Sequence, residues 1–195
     1  MSKIVVVNFM TVDGVIQSVL SADEDREGGF EAGGWVQPYM DEVVGRVMSG
    51  ATTGASGLLL GRKTYQMFAA TWSVADQREP AVAALNRLPK YVASTTLTTA
   101  DWQNSRILGD DLTAELTKLK AQPGGDIVVF GSGGLIPTLV AADLIDRYTL
   151  LMFPLVLGTG KRMFADGIAP TTLTLLGTEV STTGVVVLQY GRRRD

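Results

Sequence analysis

The sequence predicts an α/β domain, a mainly parallel twisted sheet with an antiparallel C-terminal edge. Short β-branched apolar runs alternate with segments of helical spacing as far as about residue 153, the pattern of strands joined by crossover helices. Beyond that point, strand-like stretches at residues 171–180 and 185–190 follow one another with Gly184 between them; that order fits a closing antiparallel hairpin. No repeat, low-complexity tract or linker divides the 195 residues, a length that one domain commonly fills.

The elements follow in order. Residues 3–9 (KIVVVNF) read as a buried strand and residues 11–16 as a turn marked by Asp13-Gly14. Residues 17–34 are polar and glycine-rich, with Asp23, Glu24 and Asp25 in a cluster, and predict a long mobile loop. Val36, Tyr39, Met40, Val43, Val44 and Val47 share one helical face, which predicts a helix over 36–48 broken at 50–54. Leu58-Leu59-Leu60 is a short strand before a helix starting at 63–70, and residues 81–88 predict another helix stopped by Pro89. Residues 90–94 and 105–108 read as strands. Leu112, Leu116 and Leu119 stripe a helix over 111–120, capped by Asp110 or Asp111 and closed by Lys118 and Lys120. Residues 126–130 (DIVVF) are a buried strand that turns through Gly131-Ser132-Gly133-Gly134 into an apolar helix reaching 142, and 145–153 is a strand again.

Composition narrows the chemistry. The chain has no cysteine and no histidine, which excludes disulfides, thiolate nucleophiles, the Ser-His-Asp triad and most zinc sites, so no metal is expected. Carboxylates, hydroxyls, backbone amides and any cofactor carrying the reactive atom remain. A formal net charge of -3 speaks against a nucleic-acid partner. No apolar run approaches the ~20 residues of a membrane span, and the N-terminal stretch lacks a signal-peptide cleavage site, so a cytoplasmic location away from membranes is expected.

Three segments have the composition of ligand-binding bends. Gly131-Ser132-Gly133-Gly134 lies between a strand and a helix, where glycines permit close approach and a helix N-terminus attracts phosphate. It departs from the Rossmann fingerprint, because Ile136 stands at the third glycine position, and a plain β–α turn explains it equally well. Gly61-Arg62-Lys63-Thr64 occupies a second strand-to-helix junction; Arg62 suits a ribose 2′-phosphate, although an ordinary helix start with exposed basic residues accounts for it too. Ser94-Thr95-Thr96 follows a third strand and is either a polar turn or a phosphate contact. Each segment falls at the carboxyl end of a predicted parallel strand, where open α/β sheets bind ligands.

Other candidates are single residues. Asp13 is a turn residue or a carboxylate beside the cofactor that assists proton transfer. Trp35 and Phe68 are candidate walls of the substrate pocket; Asp41 and Glu42 are candidate anchors for substrate or solvated residues. Residues 158–162 (GTGKR) fail as a P-loop, since Arg162 replaces Ser/Thr and Leu155 the first glycine. The basic residues 191–194 read as a solvated strand end.

These stretches together resemble a known family. VVVNFMTVDGVI, LLLGRKTY, PKYVASTTL, DIVVFGSGGLIPTLV and LMFPLVLGTGKRMF are similar, in order and over nearly the whole chain, to the C-terminal reductase domain of bacterial riboflavin biosynthesis and its stand-alone relatives. The resemblance implies a dihydrofolate reductase-like three-layer fold with NADPH lying across the strand ends. It places Gly61, Arg62 and Thr64 on the phosphate side, Ser94 and Thr95 near the 2′-phosphate, and Gly131, Ser132, Gly133, Gly134 and Leu135 at the pyrophosphate turn. It sets Asp13 facing substrate and nicotinamide and residues 158–161 at the pocket rim, and it implies a homodimer. The activity implied is hydride transfer from NADPH to a small heterocyclic or sugar-derived molecule, as in the reductase acting on 5-amino-6-(5-phosphoribosylamino)uracil. The 195 residues include no zinc deaminase domain, and the acidic loop lacks a basic cluster for a ribose phosphate. Dihydrofolate reduction, with Asp41 or Glu42 as pterin anchor, a non-catalytic dinucleotide-binding protein and a dimerising protein with an empty cleft are the alternatives.

Overall fold

The computed structural model describes residues 1–164 and 166–193. Eight strands form one sheet in the order β4-β3-β2-β5-β1-β6-β8-β7. They are β1 (Ile4–Thr11), β2 (Gly57–Gly61), β3 (Lys90–Ala93), β4 (Ser105–Leu108), β5 (Ile127–Phe130), β6 (Arg147–Phe153), β7 (Leu173–Val180) and β8 (Val186–Arg192). The first six run parallel, and β8 and β7 add an antiparallel edge. The α/β architecture expected from the alternation is therefore present, hairpin included.

Helices cover both faces. The alternation of β1 sends Ile4, Val6 and Met10 to one face and Val5 and Val7 to the other. On the first face they meet Leu116 and Leu119 of α4 (Leu112–Ala121) and Ile136 and Leu139 of α5 (Ile136–Ala141). On the second they meet Val44 of α1 (Glu42–Thr52), Tyr65 of α2 (Arg62–Trp72) and Leu85 of α3 (Pro80–Arg87). Strands buried on both faces by helices are why the central runs are apolar without alternating with polar residues.

Three expectations need correction. The helix predicted over 36–48 begins only at Glu42: Gln37–Tyr39 is a short 3-10 turn around Pro38, and Met40 is extended and 43% exposed. Asp41 sets the start, because its carboxylate accepts the Val44 N–H at 3.0 Å; the helix then runs through Gly50. Strands do not strictly alternate with helices, since β3 and β4 pair in parallel with no helix between them. The loop 17–34 is stitched rather than free. Gln17 Nε2 donates to the carbonyls of Asp25 and Glu27 at 3.0 and 2.9 Å, and Trp35 Nε1 donates to the Gln17 carbonyl at 2.9 Å. In the basic stretch 191–194, Arg192 ends β8 and pairs with Asp143; Arg194 lies outside the described residues.

Candidate functional site

Parallel register brings the candidate bends to one rim. Gly61 stands beside Ala93, Leu59 beside Val129, Val7 beside Phe130 and Thr11 beside Phe153. The turns after β1, β2, β3, β5 and β6 therefore open on the same side of the sheet, across the ends of adjacent strands.

Ser132 joins two of them. It has the left-handed backbone that non-glycine residues rarely adopt, φ 56°. Its Oγ accepts the Gly61 N–H at 2.8 Å and donates to the Phe130 carbonyl at 3.1 Å; its own N–H donates to Thr64 Oγ1 at 3.2 Å. The β2–α2 and β5–α5 turns are thereby one unit. Asn8, a buried amide in an otherwise apolar strand, adds a bond from Nδ2 to the Gly131 carbonyl at 3.4 Å. Gly61 offers α2 no side-chain cap, so the first-turn amides of α2 keep their capacity for an anion. A Cβ on Gly134 would meet nothing within 4 Å, whereas one on Gly133 would lie 2.7 Å from Ile16 Cδ1. This donor set, an open glycine at residue 134 beside an uncapped helix start, has the chemistry to fit a diphosphate.

The remaining predicted residues divide. Arg62 is exposed at the start of α2, where its guanidinium donates to Gln66 Oε1 at 3.3 Å. Thr95 is exposed after β3, whereas Ser94 Oγ is occupied by the amides of Thr96 and Leu97 at 3.2 and 2.9 Å. Leu135 is a core residue of the α4–α5 face, and its N–H is bonded to the Ser132 carbonyl at 2.7 Å. Trp35 is buried and packs edge-on against Phe153 at 5.3 Å; Phe68 is half-buried against Phe130 at 6.0 Å. Glu42 is exposed on α1, and Asp41 is committed to Val44 and Thr182. The Val44 amide, followed by the Thr182 hydroxyl, lowers the Asp41 pKa to about 2. Neither is a buried free carboxylate.

Asp13 takes a different part from the one expected. The Thr11 hydroxyl donates to it at 2.6 Å, the amides of Gly158 and Leu157 donate at 2.8 and 3.2 Å, and Arg162 lies 3.6 Å away. The Thr11 bond, then the two amides, hold its carboxyl below the ordinary value. An ionised carboxylate with both oxygens occupied is a poor proton relay. Asp13 anchors the loop that follows β6.

That loop meets the strap 17–34. Lys161 N–H donates to Gln17 Oε1 at 2.9 Å, and Lys161 Nζ reaches Asp25 at 2.6 Å and Glu27 at 2.5 Å; Lys63 also binds Glu27. Lys161 first, then Lys63, depresses the Glu27 pKa to about 2. Gly160 has φ 116°, and a Cβ there would lie 2.9 Å from the buried Phe30 ring, so the close approach requires glycine. Asn8, Gln17 and Glu27 were not singled out by sequence, and Lys161 entered only as the end of the 158–161 rim loop. A lone asparagine in VVVNFM was the only local signal. Among the described residues no group of three or more acidic side chains is placed to hold a metal, and no helix is long and apolar enough to cross a membrane.

Comparison with known families gives a match over residues 2–187 to the RibD C-terminal domain. The chain belongs to the RibD C-terminal domain family. This RibD C-terminal domain is 37% identical over 101 residues to the uncharacterized protein YyaP of Bacillus subtilis (strain 168), a match spanning 52% of this chain and 53% of YyaP, so about half the length of that relative is covered. Among solved structures it resembles a putative riboflavin biosynthesis protein from Shewanella sp. PV-4, with TM-score 0.73 and 21% identity over 98% of this chain and 99% of that one. It also resembles a pyrimidine reductase-like protein from Corynebacterium diphtheriae, with TM-score 0.66 and 11% identity over 100% and 93% of the two chains. Dihydrofolate reductase from Enterococcus faecalis, complexed with NADP(H) and RAB-propyl, superposes with TM-score 0.62 and 12% identity over 98% and 97%. At these identities the likeness establishes the fold, which is dihydrofolate reductase-like.

Proposed function

We propose that this RibD C-terminal domain is an NADPH-dependent reductase that delivers hydride to a C=N or C=O carbon of a small heterocyclic or sugar-derived molecule. The observation that carries the reading is the Ser132 staple, which locks two β–α turns at adjacent strand ends while leaving the start of α2 uncapped. Bound NADPH would supply the hydride, and water would supply the proton that completes the reduction at nitrogen or oxygen. Gly61, Arg62 and Thr64, with Gly131 to Gly134, would hold its phosphates, and Thr95 and Arg62 would meet its 2′-phosphate. The half-buried rings of Phe9 and Tyr39, edge-on to Phe153 at 5.4 and 5.9 Å, offer a flat substrate an aromatic wall. Asp13 positions the 157–158 loop. The absence of histidine is no obstacle, because hydride transfer needs orientation and a dry site.

Dihydrofolate reduction is the weaker reading, because neither Asp41 nor Glu42 presents a buried free carboxylate to a pterin. A homodimer through the β7 edge is part of the proposal: Leu175, Leu176 and Val180 are each more than half exposed on an eight-residue edge strand. Leu175→Lys is expected to shift the species in sedimentation from dimer to monomer.

A thermal-shift series tests the reading. NADPH at about 100 times its dissociation constant stabilises a folded protein by about 2.7 kcal/mol. A matching shift is expected with NADPH and a smaller one with NADH, and Arg62→Ala should abolish the difference. No shift with either nucleotide overturns the assignment; an unchanged preference in Arg62→Ala removes Arg62 from the 2′-phosphate.

A further inference from the structure

We propose that residues 17–34 form a strap whose acidic tip competes with an incoming dinucleotide's phosphates for Lys63 and Lys161. The inference rests on the dinucleotide reading above and adds how access to that site is regulated.

One carboxylate bridges the rim. Glu27 is held by Lys63, from the first turn of α2, and by Lys161, from the loop after β6, at 2.5 Å; Lys161 also holds Asp25 at 2.6 Å. In the sheet β5 and β1 lie between β2 and β6. Three strand spacings make about 14 Å, so the clamp spans the strand ends where the 131–134 turn opens. Ile16, at the foot of the strap, already rests against Gly133.

Gln17 ties the carbonyls of Asp25 and Glu27 to the base, but the side chains of the tip cross the rim by another force. At the base, buried Gln17 and Trp35 are hydrogen-bonded and Phe30 is packed on Gly160. Around the tip, Gly28 and Gly29 have φ of 73° and 74°, and the ties that cross the rim are exposed ion pairs. Such pairs are weak singly and yield to salt. A diphosphate at the α2 N-terminus matches the charge that Glu27 and Asp25 bring to the two lysines and adds bonds from the uncapped first-turn amides, so it displaces these carboxylates without unfolding the base.

Hydrogen–deuterium exchange on the full chain tests this. Raising NaCl from about 20 mM to about 500 mM should speed exchange of residues 23–29 roughly three- to tenfold, as expected for exposed pairs, and leave Gln17 and Trp35 unchanged. Glu27→Gln should exchange faster at low salt and keep only the part of the salt response that the Lys161–Asp25 pair supplies. NADPH, and separately inorganic pyrophosphate, should speed the same amides. Glu27→Gln should bind NADPH about threefold or more tighter and Lys161→Met more weakly, since the first removes a competitor and the second a ligand for phosphate. Protection of 23–29 by NADPH, or weaker NADPH binding by Glu27→Gln, overturns the proposal. If NADPH shifts neither protein's melting, the dinucleotide reading fails on its own. The pyrophosphate and salt arms then decide the strap, and unchanged exchange in them sinks it.

Discussion

Two polar networks lie at opposite ends of the parallel strands, and they are built to different ends. At the amino end of β3, Lys90 is wholly buried. Its Nζ donates to the carbonyls of Asn86 and Gln103 at 2.7 and 3.0 Å and sits 4.1 Å above the Trp102 ring. Trp102 Nε1 donates to Asn86 Oδ1 at 2.5 Å, and Asn86 Nδ2 donates to the carbonyls of Trp72 and Val82. That knot turns every donor inward, tying α3 to the crossover between β3 and β4. At the carboxyl end, the Ser132 staple spends its bonds on fixing two turns and leaves the helix start beside them uncapped. A network that satisfies itself contributes stability; one that fixes geometry beside unused donors is the arrangement on which the proposed dinucleotide site rests.

The difference can be broken by substitution. Lys90→Ala should cost the most, about 3 kcal/mol in denaturant unfolding, because it opens a cavity and strands carbonyls. The shift on adding NADPH should persist in that variant, and its loss would join the two networks. Ser132→Ala should cost about 1–2 kcal/mol through the lost hydroxyl bonds and should reduce the NADPH shift by more than the Lys90 change does. Equal effects on stability and binding would make the staple an ordinary structural contact. The finest test is pH. Burial lowers the Lys90 pKa from 10.5 to about 8. Between those values the unfolded chain holds a proton that the folded chain has released, so this group's contribution rises with pH across the window. Wild type should therefore gain stability relative to Lys90→Met from about pH 8 to about 10.5, and a flat difference would show the lysine to be hydrated.

The two networks were also unequally legible in the sequence. The rim was visible because glycines and hydroxyls stand directly after apolar runs, as in LLLGRKT and VVFGSGG. Parallel strands then had to bring those turns together. The knot was invisible, since Lys90 opens KYVAS like any solvated strand end and its partners Asn86 and Gln103 have no distinguishing neighbours. Asp13 misled for a related reason. A carboxylate in an Asp-Gly turn looks free until residues 157 and 158, far along the chain, donate their amides to it. The start of α1 was misplaced because Tyr39 and Met40 continue the helical spacing across a boundary set by Pro38 and Asp41.

The central position of β1 has a cost during synthesis. It is made well before its partners, which begin at Ile127 and Arg147. At roughly 5–20 residues per second, VVVNF waits on the order of ten seconds with both edges unpaired. Such a run is prone to sticking to other nascent chains. Production of this protein should therefore be limited by translation speed and chaperone supply more than by the stability of the finished sheet.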